Sequence, residues 1–140
     1  MVKNIKIIDK LRSSSLRPTK QRIQIAEFLF NREKTFHFTV EELDKLINLK
    51  SNERKISLAT FYNTVYSFKK AGHLKEILTN NNKHYFDTNI NSHHHFFDIK
   101  NNELTDINSK EIKIKNIPNP PPGKKIKDID IVINIENDYQ

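Results

Sequence analysis

Apolar residues in the first half of the chain recur every three or four positions, the spacing that places them on one face of an α-helix. This pattern predicts helices over residues 5–14, 19–31, 39–47 and 58–71. Residues typical of helix ends agree with it, since a proline precedes the second predicted helix and a glycine follows the fourth. The first half of the chain is therefore predicted to be mainly helical.

The third predicted helix has the clearest start signal in the chain. In Thr39-Val40-Glu41-Glu42, the Thr39 hydroxyl can accept a hydrogen bond from the backbone N–H of Glu42. The Glu42 carboxylate can reach back to the amide of Thr39, which completes a capping box. Phe38 and Leu43 flank this turn and are placed to pack together as a hydrophobic staple. This signature predicts a helix that begins at Val40.

The fourth predicted helix begins after Ser57, a favoured N-terminal cap, and has two dissimilar faces. Its inward stripe is predicted to consist of Leu58, Phe61, Val65 and Phe68. The opposite face carries hydroxyls, an amide and a phenol but few charges: Thr60, Tyr62, Asn63, Thr64 and Ser67. Side chains of these types can contact base edges and thymine methyl groups in a DNA major groove.

Two short strands, residues 73–78 and 84–88, are predicted around the polar turn 79–83. Helices followed by such a hairpin are typical of a winged helix-turn-helix, in which the second helix of the motif enters the major groove. Arg17, Lys20 and Arg22, at the start of the second helix, are then placed to contact phosphates. The alternative is a small helical bundle with an added hairpin.

The second half of the chain is predicted to be rich in strands. After a linker at residues 88–92, the pattern predicts a hairpin of strands 93–99 and 104–107, a short strand within 111–117, and a proline-rich connection at 118–123. Ile129, Ile131, Ile133 and Ile135 alternate with Asp130, Val132 and Asn134, which predicts a terminal strand with one buried face.

The expected fold class is α+β, with an N-terminal winged helix-turn-helix domain at residues 1–88 and a small β-rich domain at 89–140. A sheet of about 50 residues cannot cover its own apolar face, so we expect a homodimer. No apolar segment approaches the roughly 20 residues of a membrane span and no signal peptide is evident, so we expect a cytoplasmic protein that does not bind membranes.

The charge of this 140-residue chain is unevenly placed. Residues 1–88 contain 17 Lys and Arg against 9 Asp and Glu, a balance of +8, whereas residues 89–140 contain 7 against 8, a balance of −1. A basic segment joined to a nearly neutral one suggests that the first module binds a polyanion such as double-stranded DNA. A merely solvated basic surface is the alternative.

Three consecutive histidines, His93, His94 and His95, are the candidate chemistry of the second half, and the sequence contains no cysteine. On a strand, His93 and His95 share one face and His94 takes the other. Imidazole is a ligand for Zn, Fe, Cu, Ni and haem iron, so a site without thiolates remains open to divalent metals and to haem. Polar histidines of an edge strand or a turn are the alternative.

Several segments resemble one known family over nearly the whole chain. They are Leu16 to Arg22, the helix from Ser57 to Thr64 with Ala71-Gly72 at its end, the strand Tyr85-Phe86-Asp87, and His93 to His95. Their order is similar to that of the ferric uptake regulator family. Asn63, at a position where most members have an arginine, the run His-His-His-Phe-Phe and the segment 117–123 most resemble the iron response regulator branch, whose members are haem-linked.

The resemblance implies which residues act. It implies a regulatory metal site formed by His37, Asp87, His93 and His95. For haem, the implied candidates are His93, His94 and His95. For DNA, the candidates from both the pattern and the resemblance are Arg17, Lys20, Gln21, Arg22, Ser57, Thr60, Tyr62, Asn63 and Thr64.

Two departures from the family pattern qualify this. The family's structural zinc cysteines would fall at Asp98 and Asn101, so we expect no cysteine-ligated structural zinc, and the Cys-Pro haem motif of some haem-linked members is missing. We therefore expect a DNA-binding transcriptional regulator of iron or haem metabolism genes that responds to haem or iron status. The alternative is a repressor activated by Fe(II), Mn(II) or Zn(II). A metal-dependent hydrolase is disfavoured because no nucleophile and base stand at motif spacing, so we expect no enzyme.

Overall fold

The computed structural model describes residues 2–50 and 55–139, with side chains from residue 5 onward. The chain divides into two compact units, Met1–Ile90 and Asn91–Gln140. The sequence prediction set this division after residue 88. Within the described ranges, no helix is long and apolar enough to cross a membrane.

The first unit contains four helices: α1 (Val2–Ser13), α2 (Lys20–Phe30), α3 (Val40–Lys50) and α4 (Leu58–Lys70). The predicted capping box of α3 is confirmed, since the Glu42 amide donates to Thr39 Oγ1 at 3.2 Å and the Thr39 amide donates to Glu42 Oε2 at 3.5 Å. The Ser57 hydroxyl accepts a hydrogen bond from the Thr60 amide at 3.2 Å and so caps α4. These local bonds explain why the helices begin where the sequence predicts.

The end of α4 is closed by Gly72, whose φ of +87° is a left-handed conformation that favours glycine. The Gly72 amide donates to the carbonyl of Lys69 at 3.0 Å, and the His73 amide donates to the carbonyl of Phe68 at 2.9 Å. The bond from His73 to Phe68 spans six residues and, together with the bond from Gly72, forms a Schellman motif. The chain thereby leaves the helix in the direction that leads into the hairpin.

A three-stranded antiparallel sheet completes the first unit. Its strands are β1 (His37–Phe38), β2 (Lys75–Leu78) and β3 (His84–Asp87), in the order β1-β3-β2. The predicted wing hairpin is confirmed, whereas the two-residue strand β1 was not predicted. In this sheet His37 lies opposite Asp87, and Phe38 lies opposite Phe86.

The inward face of α4 differs from the prediction at two positions. Thr64 is only 3% exposed, whereas Leu58 is 43% exposed. The buried residues Phe61, Thr64, Val65 and Phe68 follow one another at helical spacing, so the inward stripe begins one turn later than predicted. The placement of Thr64 on the outward, DNA-facing side is therefore wrong, because its side chain packs into the helical core.

The second unit is a three-stranded sheet of β4 (His93–Asp98), β5 (Glu103–Asn108) and β6 (Val132–Ile135), in the order β5-β4-β6. β4 pairs antiparallel with β5 and parallel with β6. The predicted hairpin is confirmed, and Asn102 takes the positive φ of its turn at +56°.

Two expectations for this unit are wrong. Residues 111–117 form no strand: a short 3₁₀ helix, Ser109–Glu111, is followed by irregular chain. The terminal strand has only four residues, and Ile133 and Ile135 are each 38% exposed rather than buried. Within a single chain, none of the described residues covers the side chains of Ile133 and Ile135 completely.

Candidate metal centre and nucleic-acid interface

The first unit holds one imidazole and one carboxylate side by side. Because β1 and β3 pair with His37 opposite Asp87, the two side chains meet, with His37 Nε2 lying 3.0 Å from Asp87 Oδ2. Asp87 is fully buried, and its second oxygen accepts a hydrogen bond from the Asn89 amide at 2.8 Å. A buried carboxylate is stable only with such partners, so the pair is a fixed N/O donor set rather than a solvated strand end.

The second unit holds a cluster of two imidazoles and one carboxylate. His93 and His95 share one face of β4, as predicted, with ring centroids 4.4 Å apart. Asp106 on β5 lies opposite His95, and its Oδ1 atom is 3.1 Å from His95 Nε2 and 3.4 Å from His93 Nε2. Sequence reasoning missed Asp106. The predicted hairpin brings the two strands together, but only a turn at residues 99–102 pairs position 95 with position 106, and the sequence did not determine that turn.

The hydrogen bond at Nδ1 of His93 determines which ring nitrogen carries the hydrogen in the neutral form. Its Nδ1 atom lies 2.5 Å from the carbonyl oxygen of Asn91. A carbonyl only accepts, so Nδ1 carries the hydrogen, and a neutral ring then presents the lone pair of Nε2 to the Asp106 carboxylate. A proton on Nε2 or a metal ion between the two groups can join them. This orientation, with the distal nitrogen bonded to a backbone carbonyl, is typical of a metal-ligating histidine.

His94 points to the other face of β4 and has a different partner. Its Nδ1 atom accepts a hydrogen bond from the backbone N–H of Ile131 at 3.1 Å, just before β6 begins. The ring is buried at 6% exposure. His94 therefore connects the central strand to the terminal strand, a structural contact that the sequence did not predict.

Asp98 and Asn101, which stand where the family's structural zinc cysteines would fall, bond to each other and to neighbouring residues in the turn. Asp98 Oδ1 accepts hydrogen bonds from the Lys100 and Asn101 amides, both at 3.0 Å, and Oδ2 accepts from the Asn101 side chain at 3.1 Å. The backbone hydrogen bond from Asn101 contributes most to lowering the pKa of Asp98. This turn is closed by N–H donors, and its amide and carboxylate do not fit a thiolate zinc site.

The predicted DNA-binding residues lie on α2 and α4, or next to them, except for Thr64, which lies in the core. Arg17, Lys20 and Gln21 are exposed around the start of α2. Arg22 donates from Nη1 to the carbonyl of Arg17 at 3.2 Å, which holds that guanidinium beside the helix end. On α4, Tyr62 and Asn63 are exposed.

Ser57 and Thr60 lie at the exposed start of α4, where their hydroxyl oxygens are 2.9 Å apart. One of these two hydroxyls is therefore already engaged within the cap. The charge-poor outer face of α4, defined here as Ser57, Thr60, Tyr62 and Asn63, is the part of the first unit that suits contact with base edges.

A winged helix in one unit and a small sheet in the other, with imidazole and carboxylate donors in both, fit the class of metal-responsive transcription regulators. Comparison with known proteins agrees. The profile of the ferric uptake regulator family matches residues 13–134, so the chain belongs to this family, whose members are DNA-binding, dimeric transcription regulators and not enzymes. The resemblance and the α+β fold class inferred from the sequence are thereby confirmed, whereas the iron response regulator branch stays a prediction.

Individual relatives support this assignment. The chain is 30% identical over 105 residues to the peroxide-responsive repressor PerR of Staphylococcus epidermidis, covering 75% of this chain and 67% of that protein. Its fold is similar to the manganese-containing ferric uptake regulator of Pseudomonas aeruginosa, with a TM-score of 0.69, 22% identity and coverage of 99% and 100%. It is also similar to the Helicobacter pylori regulator, described as having three functional metal-binding sites, with a TM-score of 0.68, 15% identity and coverage of 96% and 91%.

Proposed function

We propose that this protein is a homodimeric, cytoplasmic transcriptional repressor whose affinity for a DNA operator depends on one divalent metal ion. The metal ligands would be His37 and Asp87 from the first unit and His93, His95 and Asp106 from the second. The observation that carries this proposal is the arrangement around His93, whose hydrogen bond to Asn91 directs Nε2 toward a carboxylate. A cation at that place satisfies both acceptors.

The chain connection is compatible with a single centre built from both units. Only five residues separate Asp87 from His93. Six residue steps of extended chain span at most about 20 Å, so the two donor sets are tethered within reach of each other. A metal that binds both would restrict the angle between the units, which is how a ligand can bias a binding surface that it does not touch.

The donor set favours particular metals. Three imidazole nitrogens and two carboxylate oxygens suit Fe(II) or Mn(II), which accept mixed N/O ligands in five or six positions. Zn(II) also binds imidazole and carboxylate but prefers four ligands. We therefore rank Fe(II) and Mn(II) above Zn(II) as the regulatory metal.

The DNA contact is assigned to the basic first unit. Lys20, Arg17 and neighbouring donors would contact phosphates, while the outer face of α4 would enter the major groove. Two such units are needed for two half-sites, and the exposed Ile133 and Ile135 of β6 are the apolar surface on which a second copy would pair. A homodimer would therefore cover the exposed apolar surface of β6 and supply the two DNA-binding units that two half-sites require.

The decisive experiment measures DNA binding and metal content together. Apoprotein prepared with a chelator is titrated anaerobically with Mn(II), and binding to a promoter fragment from its own genome is followed by fluorescence anisotropy. We expect metal to increase DNA affinity at least tenfold, and His95→Ala to abolish the increase while leaving metal-free binding unchanged. Asp128→Asn, at an exposed position outside the strands, is the control and should keep the metal response. DNA binding that ignores metal in the wild type would reject the proposal.

Haem sensing through His93, His94 and His95 is the finer prediction that the iron response regulator resemblance brings. The run of three imidazoles favours it, but each is at most 6% exposed, so a macrocycle would require β4 to open. Haemin titration decides between the two signals. A Soret band that survives His37→Ala and disappears in the triple alanine variant of residues 93–95 would establish haem, whereas no Soret band would leave metal as the signal.

A further inference from the structure

Two exposed tyrosines stand one turn apart on the outer side of α4. Tyr62 is 37% exposed and Tyr66 is 38% exposed. The Tyr62 hydroxyl donates to Oε1 of Glu41, at the start of α3, and the Tyr66 hydroxyl donates to Oε2 of Glu76, on β2, at 3.2 Å. Each phenol is therefore linked to a carboxylate on a neighbouring element.

These bonds determine which hydrogen-bonding role each phenol has left. A phenol owns a single O–H, and a carboxylate can only accept, so the hydrogen of Tyr62 is committed to Glu41. The hydrogen bond to Glu41 also raises the pKa of Tyr62, which keeps the phenol protonated. Toward any third group, Tyr62 can then act only as a hydrogen-bond acceptor, through the lone pairs of its oxygen.

The two carboxylates are held differently. Glu76 also accepts from Lys69 Nζ at 2.8 Å and lies 3.1 Å from His84 Nδ1. Burial alone would raise the pKa of Glu76, but these partners together lower it, so Glu76 belongs to a network that stabilises the wing. Glu41 lies in the first turn of α3, where the positive end of the helix dipole favours an ionised carboxylate.

We propose that Glu41 determines the base preference of the recognition helix by making Tyr62 a hydrogen-bond acceptor. An acceptor in the major groove pairs with an amino group, adenine N6 or cytosine N4, whereas a free phenol could also donate to guanine O6 and N7 or to thymine O4. Tyr62 is the fifth residue of α4, within the N-terminal part that reads bases in helix-turn-helix proteins. This inference rests on the proposed function, in which α4 enters the groove.

The test is selection of bound duplexes from a randomised DNA library by the Mn(II)-loaded, full-length protein, followed by sequencing. We expect wild type to prefer adenine or cytosine at one position of the half-site and Tyr62→Phe to lose that preference. In Glu41→Gln, the amide can donate to the phenol oxygen and release its hydrogen. We therefore expect the preference at that position to shift toward guanine or thymine, by about fivefold to tenfold, the equivalent of one hydrogen bond.

Glu42→Gln is the matched control because it removes the same charge one residue away. Glutamine is accepted at this position of a capping box, so the helix start is preserved. Glu42→Gln and Glu41→Gln should strengthen binding to all sequences alike, because both remove a negative charge that repels phosphates. Only Glu41→Gln should change the preferred base.

The outcomes separate this inference from the proposed function. If wild type selects no sequence at all, the DNA-binding function itself fails. If wild type is selective but neither Glu41→Gln nor Glu41→Ala, which leaves no side-chain acceptor at position 41, changes the preferred base, or if Tyr62→Phe changes nothing, the inference is overturned. The same holds if Glu42→Gln shifts the base preference as much as Glu41→Gln.

Discussion

Asp106 faces His95 across the β4–β5 hairpin, with 3.1 Å between its Oδ1 atom and the Nε2 atom of the imidazole. This contact adds Asp106 to the proposed metal ligands that the sequence suggested. It also places a carboxylate in the second unit, so each unit contributes both donor types. Asp106 is therefore the candidate metal ligand that the structure adds to those inferred from the sequence.

Replacing Asp106 with asparagine keeps the shape of the side chain and removes its negative charge. We expect Asp106→Asn to weaken Mn(II) binding by at least tenfold, because a neutral amide oxygen is a poorer ligand for a divalent cation. Asp128→Asn, at an exposed position outside the strands, should bind metal as wild type does. Competition titration with a metal-sensitive dye measures both. Unchanged affinity in Asp106→Asn would remove this residue from the ligand set.

His94 should matter for stability rather than for metal binding. His94→Ala removes a buried ring and the acceptor of the partly buried Ile131 amide, which is expected to lower the unfolding free energy by about 1–3 kcal/mol. Urea denaturation of the metal-free protein measures this loss, with the exposed-site variant Asp128→Asn as the control. A variant that keeps its stability but loses Mn(II) or haemin binding would show that His94 is a ligand.

His73 should make stability depend on pH. It lies 2.7 Å from the Ser14 hydroxyl, and burial, followed by the charge of Lys10, lowers its pKa below the ordinary value of 6.5. The unfolded chain therefore takes up a proton that the folded protein resists, so the stability contributed at neutral pH is lost as the pH falls below about 6.5.

The check is urea denaturation of metal-free protein at several values between about pH 5 and pH 8. His73→Gln retains a polar group near Ser14 but does not titrate, so its stability should fall less steeply on acidification than that of wild type. Contributions from the rest of the chain are common to both proteins and cancel in the comparison. Parallel curves for the two proteins would contradict the prediction.

Neighbouring positions on α4 should have opposite effects on DNA recognition. Asn63→Ala should flatten sequence preference, because Asn63 is exposed on the outer face, whereas Thr64→Val should leave it unchanged because Thr64 is buried. Lys20→Ala should weaken binding to all sequences and reduce the salt slope by about 1. Anisotropy titrations at several salt concentrations with specific and random duplexes distinguish the three. Loss of specificity in Thr64→Val with an intact fold would return that residue to the interface.

The exposed edge of β6 should be required for dimerisation. Ile133→Glu places a charge on the apolar surface of this strand, where a partner would otherwise cover it. We expect a monomer in sedimentation velocity, and weakened operator binding because one half-site is lost. Ile126→Glu, on an exposed residue outside the sheets, is the control and should remain dimeric. A dimeric Ile133→Glu protein would place the interface elsewhere.

Features fixed by residues close together in the sequence were predictable, whereas features fixed by the pairing of distant residues were not. The start of α3 was predictable because Thr39 and Glu42 bond each other within one turn. The shared face of His93 and His95 follows from strand alternation alone. Asp106 was missed because its place beside His95 depends on the register of two strands, which a turn of ambiguous length does not determine.

Errors arose where packing between elements decides. Thr64 was placed outward because the apolar stripe was started at Leu58, although the first turn of α4 lies beyond the core. The apolar alternation in residues 111–117 suggested a strand, but Ile114 and Ile117 are exposed and have no strand to pair with in the described chain. Periodicity states which residues can share a face, and tertiary contacts decide whether that face is used.

The turn closed by Asp98 bears on how the metal content of the purified protein should be interpreted. Its hydrogen bonds come from the chain itself, so we expect the hairpin to form without a second, permanently bound ion. A chelator should then empty the regulatory centre without dismantling the sheet. If so, the metal content of the purified protein is a direct readout of signalling occupancy, with no constitutive background to subtract.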